Sequence, residues 1–324
     1  MNEMKDISEA AKALSAPVVK LIEVCAVGIG KIYEPIHTSR MARANAEAYK
    51  ILSEAISENP IIPVTYKEEK LALDASDTDS IFSRMKDRVQ FQEIKKQINI
   101  ENVISEAYLK IKEEEQVSND KVDEDWITRF FNYAGEVSNN EMQIIWGSIL
   151  SGEIKQPGSF SLRTLEILRS ISQKEAKIFH KVSAYAIKNL SQKYHYIYKD
   201  DDLLSKFGIN FLDIVALADI GLLSRDLVLS LDCKNKPTMF AKYNNWFIFL
   251  ESNIDKTVSF SICKYTTVGE ELLTINNPHI KSINYFKEIA LDLNKQNVKL
   301  SFAEIYSDIN PKGKKFYREP LKYL

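Results

Sequence analysis

Apolar side chains recur every three or four positions along most of the first half of this chain, which is the spacing of amphipathic helices. The pattern predicts two helices within residues 7–58, broken at Pro35 and stopped by Asn59 and Pro60. Another helix is predicted over residues 80–115. The intervening segment combines prolines with acidic and hydroxyl side chains, and this composition is typical of a linker.

The centre of the chain has the clearest helix signals. One helix carries an aromatic face made of Trp126, Phe130 and Tyr133. The next is predicted to begin at a capping box of Ser138 and Glu141, and a second capping box, Ser172 with Glu175, opens a later helix. These signals predict a helical central domain.

Residues 151–165, "SGEIKQPGSFSLRTL", separate two apolar helical runs. Gly152 is expected to close the first helix, because glycine adopts the left-handed conformation at little cost. Pro157 and Gly158 predict a turn, and Ser161 is placed to cap the next helix. Cap and turn chemistry therefore predicts a joint between helices.

The pattern changes near residue 195, where short runs rich in β-branched and aromatic residues follow. A helix over residues 210–220 is predicted to be capped by Asn210 and ended at Gly221. Asn244 and Asn245 lie between two strand-like runs, as a hairpin turn does. Short helices, a hairpin and a further helix are the outline of a winged-helix-like module.

The predicted fold is mostly α, with helical N-terminal and central domains followed by a small α+β winged-helix-like C-terminal module. The predicted regions are an N-terminal helical arm (1–60), a linker (61–79), a central helical domain (80–190), the winged-helix-like α+β module (191–300) and a basic C-terminal tail (301–324).

Charge argues against nucleic acid as the partner. The formal net charge is −2 and the pI is about 6.2, so no global field favours a polyanion. The helix at 210–220, "NFLDIVALADI", would be the recognition helix of a winged module, but it has aspartates and no Lys or Arg. Contacts to phosphates and base edges need basic or amide side chains. A protein partner or self-association is therefore favoured over nucleic acid.

A cytoplasmic location is expected. Cys25, Cys233 and Cys263 are odd in number and far apart, which fits neither a disulfide framework nor a zinc site. The N-terminus lacks the pattern of a signal peptide, and no apolar run approaches the length of a membrane span. For residues 7–34, packing within the protein or an oligomer is favoured, and peripheral contact with the inner membrane stays open as the alternative.

The sequence carries no catalytic, metal or cofactor motif. His37, His180, His195 and His279 are scattered, and the glycines of "VGIGKIYEP" lack the frame of a nucleotide-binding loop. We therefore predict no cofactor and no metal site. Cys25 lies on an apolar helix face, where burial would raise its pKa and make the thiol inert.

The candidate site residues are Glu153, Ser159, Ser161 and Arg163. The favoured interpretation is structural, with Glu153 and Arg163 forming an ion pair that braces the turn. The alternative is an anion site or hinge, because the serines, the guanidinium and the N-terminus of a helix converge there and such groups hold phosphate or carboxylate.

The central block, from "DWITRFF" to "EAKIF", resembles a family of uncharacterised bacterial proteins, domain of unknown function 2806. The matching string is Trp126, Arg129, Phe130, Met142, Gln143, Trp146, Leu150, Gly152, Glu153, Pro157, Gly158, Ser161, Arg163, Thr164 and Leu165. The N-terminal "PVVKLIEVCAVGIGKIYEP" and "ARANAEAYK" are similar to the opening of some abortive-infection proteins. The resemblance implies a bacterial, intracellular setting and an association with phage defence. The family has no established enzymatic activity and no agreed catalytic residues, so the resemblance assigns no site residues to this chain.

The resulting hypothesis is an interaction protein of antiphage defence, an abortive-infection sensor or effector without a catalytic site. Its N-terminal helices would be the effector arm and its C-terminal module the sensor. Two alternatives remain: a nuclease-like or phosphotransfer enzyme that uses Glu153 and Arg163, and a winged-helix transcriptional regulator.

Overall fold

The chain forms two compact units, residues 1–165 and residues 166–324. The computed structural model describes residues 15–30, 64–67, 70–73, 78–114, 116–189, 194–225, 227–243, 245–276, 283–305 and 322–323. The boundary between the units falls inside the range 80–190, which was predicted as one helical domain.

The described residues of the first unit form helices and one short hairpin. Its elements are α1 (Ala16–Ile29), β1 (Val64–Lys67), β2 (Lys70–Leu73), α2 (Thr78–Ile111), α3 (Glu124–Ala134), α4 (Asn140–Lys155) and the start of α5 (Leu162–Ser170). The antiparallel pair β1 and β2 lies within the segment predicted as a linker.

Aromatic rings form the centre of the first unit, as the sequence predicts. Trp126 and Phe130 stack at 5.0 Å between ring centroids, and Phe130 meets Trp146 at 5.3 Å. All three side chains are buried. Gly28 allows α1 to pack closely on α3, because a β-carbon there would lie 2.0 Å from Cδ2 of Phe131. The apolar face of α1 therefore packs inside the unit.

The first half of α2 is exposed on the surface, whereas its second half is part of the core. Val103, Ile104 and Ala107 are fully buried, but nearly every side chain from Phe82 to Lys96 is exposed or only partly covered. The 34-residue helix thus extends well beyond the core that holds its end. Among the described residues, the packing contacts of this helix come mainly from its second half.

The second unit combines helices with a large sheet. Its helices are α6 (Gln173–Ser183), α7 (Asp201–Ser205), α8 (Phe211–Asp219), α9 (Thr267–Ile275) and α10 (Asn284–Asn294). Its strands are β3 (Ile187–Asn189), β4 (His195–Tyr198), β5 (Leu227–Cys233), β6 (Thr238–Tyr243), β7 (Trp246–Ser252), β8 (Lys256–Lys264), β9 (Val298–Glu304) and β10 (Lys322–Tyr323).

The eight-stranded sheet is antiparallel, with the order β10-β9-β7-β6-β3-β4-β8-β5. Its central feature is one long, bent hairpin. The strands next to the turn, β6 and β7, pair with each other, and the strands that flank them in sequence, β5 and β8, also pair with each other. At the bend of this hairpin the N–H of Ser252 donates to the carbonyl of Lys234 at 3.2 Å. Because β3 pairs with β6 and β4 pairs with β8, the short β3–β4 pair connects the two halves of this hairpin within one sheet.

The prediction of a mostly α protein with a small winged-helix-like module is wrong. The fold is mixed, and the sheet extends through most of the second unit. The predicted hairpin does exist, since Tyr243 pairs with Trp246 and leaves residues 244–245 as its connection. Strands far away in the sequence, β3, β4 and β9, also pair with it. Such long-range pairing leaves little trace in local periodicity.

Local cap chemistry was predicted well, with one displaced position. The side chain of Asn210 accepts from the N–H of Asp213 at 2.9 Å, and Gly221 adopts a φ of 78° after α8. The capping box of Ser172 and Glu175 is present. The predicted Ser138 cap is wrong, because Asn139 caps α4 by accepting from the N–H of Met142. Asparagine and serine are about equally good caps, so neighbouring candidates are hard to separate.

Candidate functional site

The carboxylate of Glu153 closes the loop between α4 and α5. Its Oε1 accepts from the N–H of Gly158 at 2.6 Å, and its Oε2 accepts from the N–H of Phe160 at 3.0 Å. The residue is only 2 % exposed. A buried carboxylate that satisfies two backbone donors acts as a permanent anchor for the turn.

Phe160 holds the same loop from the other side. Its carbonyl accepts from Nε1 of Trp126 at 2.8 Å, and its ring packs against Gly152, where a β-carbon would lie 2.7 Å from Cε2. Gly152 therefore lies inside α4 and not at its end, so the prediction that it closes the helix is wrong. Its role is to admit the ring. The turn predicted at Pro157 and Gly158 is confirmed, and Gly158 has a φ of 83°.

The predicted ion pair between Glu153 and Arg163 is not formed. Arg163 is exposed near the start of α5, whereas the carboxylate of Glu153 is directed to backbone N–H groups. The hydroxyl of Ser159 donates to the carbonyl of Gln156 at 2.6 Å. The hydroxyl of Ser161 lies 3.3 Å from that of Thr164. These contacts are local, and the anion-binding role stays a prediction.

The nearby positive charge comes from α1 instead. The ammonium of Lys20 donates to the carbonyls of Ser118 and Asp120 at 2.8 and 2.7 Å. Burial lowers the pKa of Lys20, while the charges of Asp120, Glu23 and Glu153 act in the opposite direction. Lys20 thereby ties α1 to the segment before α3. No local sequence pattern indicates this contact, because about a hundred residues separate its partners.

The second unit contains a histidine–carboxylate pair. Nδ1 of His195 and Oε2 of Glu270 are 2.7 Å apart, and Oε1 of Glu270 accepts from the backbone N–H of His195 at 2.5 Å. Both side chains are partly exposed. A carboxylate at Nδ1 sets the orientation of an imidazole, as in acid–base sites. The partners lie 75 residues apart, so no motif announces the pair.

A second histidine, His180, contacts the C-terminal end of α9, the helix that carries Glu270. Asn276, which caps α9, places its Oδ1 2.6 Å from Nδ1 of His180 and donates through Nδ2 to the hydroxyl of Ser183. No group of three or more metal-ligating side chains occurs among the described residues. The contact of His195 with Glu270 joins α9 to β4, and the contact of His180 with Asn276 joins α9 to α6.

The three cysteines are buried, and none forms a disulfide. Burial raises the pKa of Cys25 to about 12. The predicted burial and raised pKa of Cys25 are therefore confirmed, and a thiol with such a pKa is expected to be inert because it has almost no thiolate at neutral pH.

Three tyrosines of the second unit are buried, two of them on β4 and one directly after β8. The hydroxyls of Tyr196 and Tyr265 have no hydrogen-bond partner among the residues described, and burial raises the pKa of both phenols well above the usual value. Tyr198 differs, because its hydroxyl donates to Oδ2 of Asp292 at 2.5 Å. Buried polar atoms without a partner cost stability.

Replacing Tyr265 with phenylalanine is therefore expected to raise the free energy of unfolding by about 1 kcal/mol, because an unsatisfied hydroxyl leaves the core while the ring stays. The matched control is Tyr198→Phe, which removes the hydroxyl that donates to Asp292. This change should lower the free energy of unfolding by about 1–2 kcal/mol. Chemical denaturation measures both changes. A loss of stability in Tyr265→Phe would show that its hydroxyl has a partner, such as a bound water.

No helix in the described parts of the chain has the length and hydropathy needed to cross a bilayer.

Comparison with known proteins identifies a family. The model of the family described as "Protein of unknown function (DUF2806)" matches residues 83–290. No curated protein and no solved structure matches the chain. The match covers most of the chain, from the exposed half of α2 to α10, and confirms the resemblance seen in the central block. This chain belongs to the DUF2806 family of proteins of unknown function.

Proposed function

We propose that this protein acts by binding another protein in the defence of a bacterial cell against phage, as a sensor or effector of abortive infection. The observation that carries the binding function is the exposed first half of α2. The defence role rests on the resemblance read from the N-terminal sequence to abortive-infection proteins, a segment that lies outside the family match at residues 83–290.

The surface consists of Phe82, Met85 and Val89, here called the α2 stripe. Steps of three and four residues place these side chains on one face of the helix. They are 64 %, 46 % and 44 % exposed. Large apolar side chains grouped on one exposed face mark an interaction site more often than scattered ones do.

The charges beside the stripe indicate the chemistry of the partner. Lys86 and Arg88 lie on either side of the α2 stripe, whereas Asp87 lies on the opposite face of the helix. A partner with an apolar groove and an acidic rim would complement this arrangement. The proposed binding mode is a helix held in a groove of the partner.

The enzyme alternative lacks geometric support. It required Glu153 and Arg163 to converge in an open pocket, but the carboxylate of Glu153 is buried and engaged by two backbone N–H groups. The hypothesis of a winged-helix transcriptional regulator also lacks structural support, because the second unit is built around the eight-stranded sheet.

Phage plating on bacteria that express the chain together with its neighbouring genes tests the proposal. We expect fewer plaques with the wild type, and a loss of this protection in Met85→Glu/Val89→Glu, because charges in the stripe oppose its burial. The matched control is Ser83→Glu/Gln90→Glu, which adds the same charge on another exposed face of α2. Both variants should keep stability within about 0.5 kcal/mol of the wild type.

Two results would contradict the proposal in different ways. A wild type that never reduces plaque numbers removes the defence role. Protection that persists in the stripe variant removes the α2 stripe as the binding surface.

A further inference from the structure

Strand β5 forms one edge of the eight-stranded sheet. It pairs with β8 on one side, and no described strand lies on its other side. An edge strand of seven residues presents a row of backbone N–H and C=O groups that can pair with another strand. The opposite edge is formed by β10, which has only two residues.

β5 carries one charged residue, Asp232, but lacks the other features that usually protect an edge. Its sequence, "LVLSLDC", contains no Lys, Arg or Pro, and its register with β8 runs without a bulge from Leu227 to Cys233. Leu227 is 43 % exposed and Val228 is 71 % exposed. A long, regular and apolar edge of this kind is a pairing surface.

We propose that β5 pairs with β5 of a second copy of this chain, antiparallel and with Ser230 on the two-fold axis. Two sheets would then join into one continuous sheet across an isologous interface. This pairing goes beyond the proposed function, and it is independent of any role in phage defence.

The register follows from the faces of the strand. Leu229 and Cys233 are buried, so the odd-numbered side chains face the core, while Val228, Ser230 and Asp232 face outward. Side chains directly opposite in an antiparallel pair lie on the same face. Odd residues must therefore oppose odd residues if the core is to continue across the joint.

Only one register of this kind overlaps all seven residues. It sets Leu227 against Cys233 of the partner subunit and Leu229 against Leu231 of the partner subunit. It also sets each Ser230 against Ser230 of the partner subunit.

The strand is complementary to itself in this register. On the core face, leucines meet across the joint and the exposed part of Leu227 becomes covered. On the outer face, Val228 opposes Asp232 of the partner subunit, so no two like charges face each other. Asp232 already accepts from the hydroxyl of Thr257 at 3.0 Å, which satisfies its carboxylate at the surface. A second copy therefore fits this edge without an unpaired buried charge.

Sedimentation of the full chain across the micromolar range tests the pairing through a charge swap at the axis. The wild type is expected to form a dimer. Ser230→Lys and Ser230→Glu should each weaken the dimer by about three- to tenfold, because like charges then face each other across the two-fold axis. Mixing the two variants should restore the dimer, since Lys then faces Glu, and added salt should reduce both effects.

Ser259→Lys is the matched control. Ser259 is exposed on β8, and its hydroxyl lies 2.8 Å from that of Ser230, so the control breaks the same contact and adds the same charge one strand away from the axis. It should dimerise like the wild type. A wild type that stays monomeric throughout the range would overturn the proposal. A dimer that is insensitive to charge at residue 230 would overturn it as well.

Discussion

Replacing Glu153 with alanine is expected to lower the free energy of unfolding by about 3–5 kcal/mol. The change removes a charged acceptor from the buried N–H of Phe160 and the partly buried N–H of Gly158, and a hydrogen bond to a charged group contributes about 1.5–3 kcal/mol. The N–H of Phe160 would lose its partner without gaining water, whereas the N–H of Gly158 lies closer to the surface. Chemical denaturation followed by tryptophan fluorescence would report the change, because Trp126 donates to the carbonyl of Phe160.

Two further variants serve as controls for Glu153→Ala. Glu153→Gln keeps the volume and one acceptor oxygen, so its loss should be about half that of alanine. Glu141→Ala removes an exposed carboxylate from the first turn of the same helix and should cost no more than about 1 kcal/mol. If Glu153→Ala stays within about 0.5 kcal/mol of the wild type, the carboxylate does not anchor the loop and becomes available for a functional role.

Replacing Gly147 with alanine is expected to lower the free energy of unfolding by about 2 kcal/mol, although alanine is the better helix former by about 1 kcal/mol. A β-carbon at this position would lie 2.5 Å from Cβ of Glu106 and 3.0 Å from the backbone nitrogen of Ala107. Backbone atoms cannot relieve such a contact by a change of rotamer, as a side chain can. Helices α2 and α4 would therefore have to move apart, and thermal unfolding would show the loss.

Gly135→Ala is the control for the change at Gly147. Gly135 has an ordinary helical φ of −60°, and its added β-carbon would lie 3.3 Å from Cβ of Lys96. This substitution should leave stability within about 0.5 kcal/mol of the wild type. Equal effects at both glycines would show that close packing of α2 on α4 does not limit stability.

The sequence predicted best those interactions that join residues a few positions apart. The caps at Asn210 and Ser172, and the turn at Gly158, depend on hydrogen bonds or dihedral angles within a few residues. The errors at Ser138 and Gly152 have the same origin. A neighbouring asparagine competes for the cap, and the use of a glycine depends on whether a distant ring approaches it.

For the candidate site, the sequence identified the right residue and the wrong partner. Glu153 is a central member of the loop, but its carboxylate binds backbone N–H groups instead of Arg163. A capped turn exposes backbone donors to its interior, and sequence patterns do not show which donors lack partners. The pair of His195 and Glu270 was missed altogether, because no local pattern connects β4 to α9.

By itself, the sequence determined the helical first unit, its aromatic core, the hairpin at residues 244–245 and the family to which the chain belongs. Each of these follows from periodicity, turn chemistry or a string of matching residues. Only the tertiary structure decided that strands far apart in sequence assemble into one eight-stranded sheet, and that β5 lies at an edge of it. Hydrogen bonds between strands depend on which segments meet in space, and the spacing of residues along each strand does not specify its neighbour.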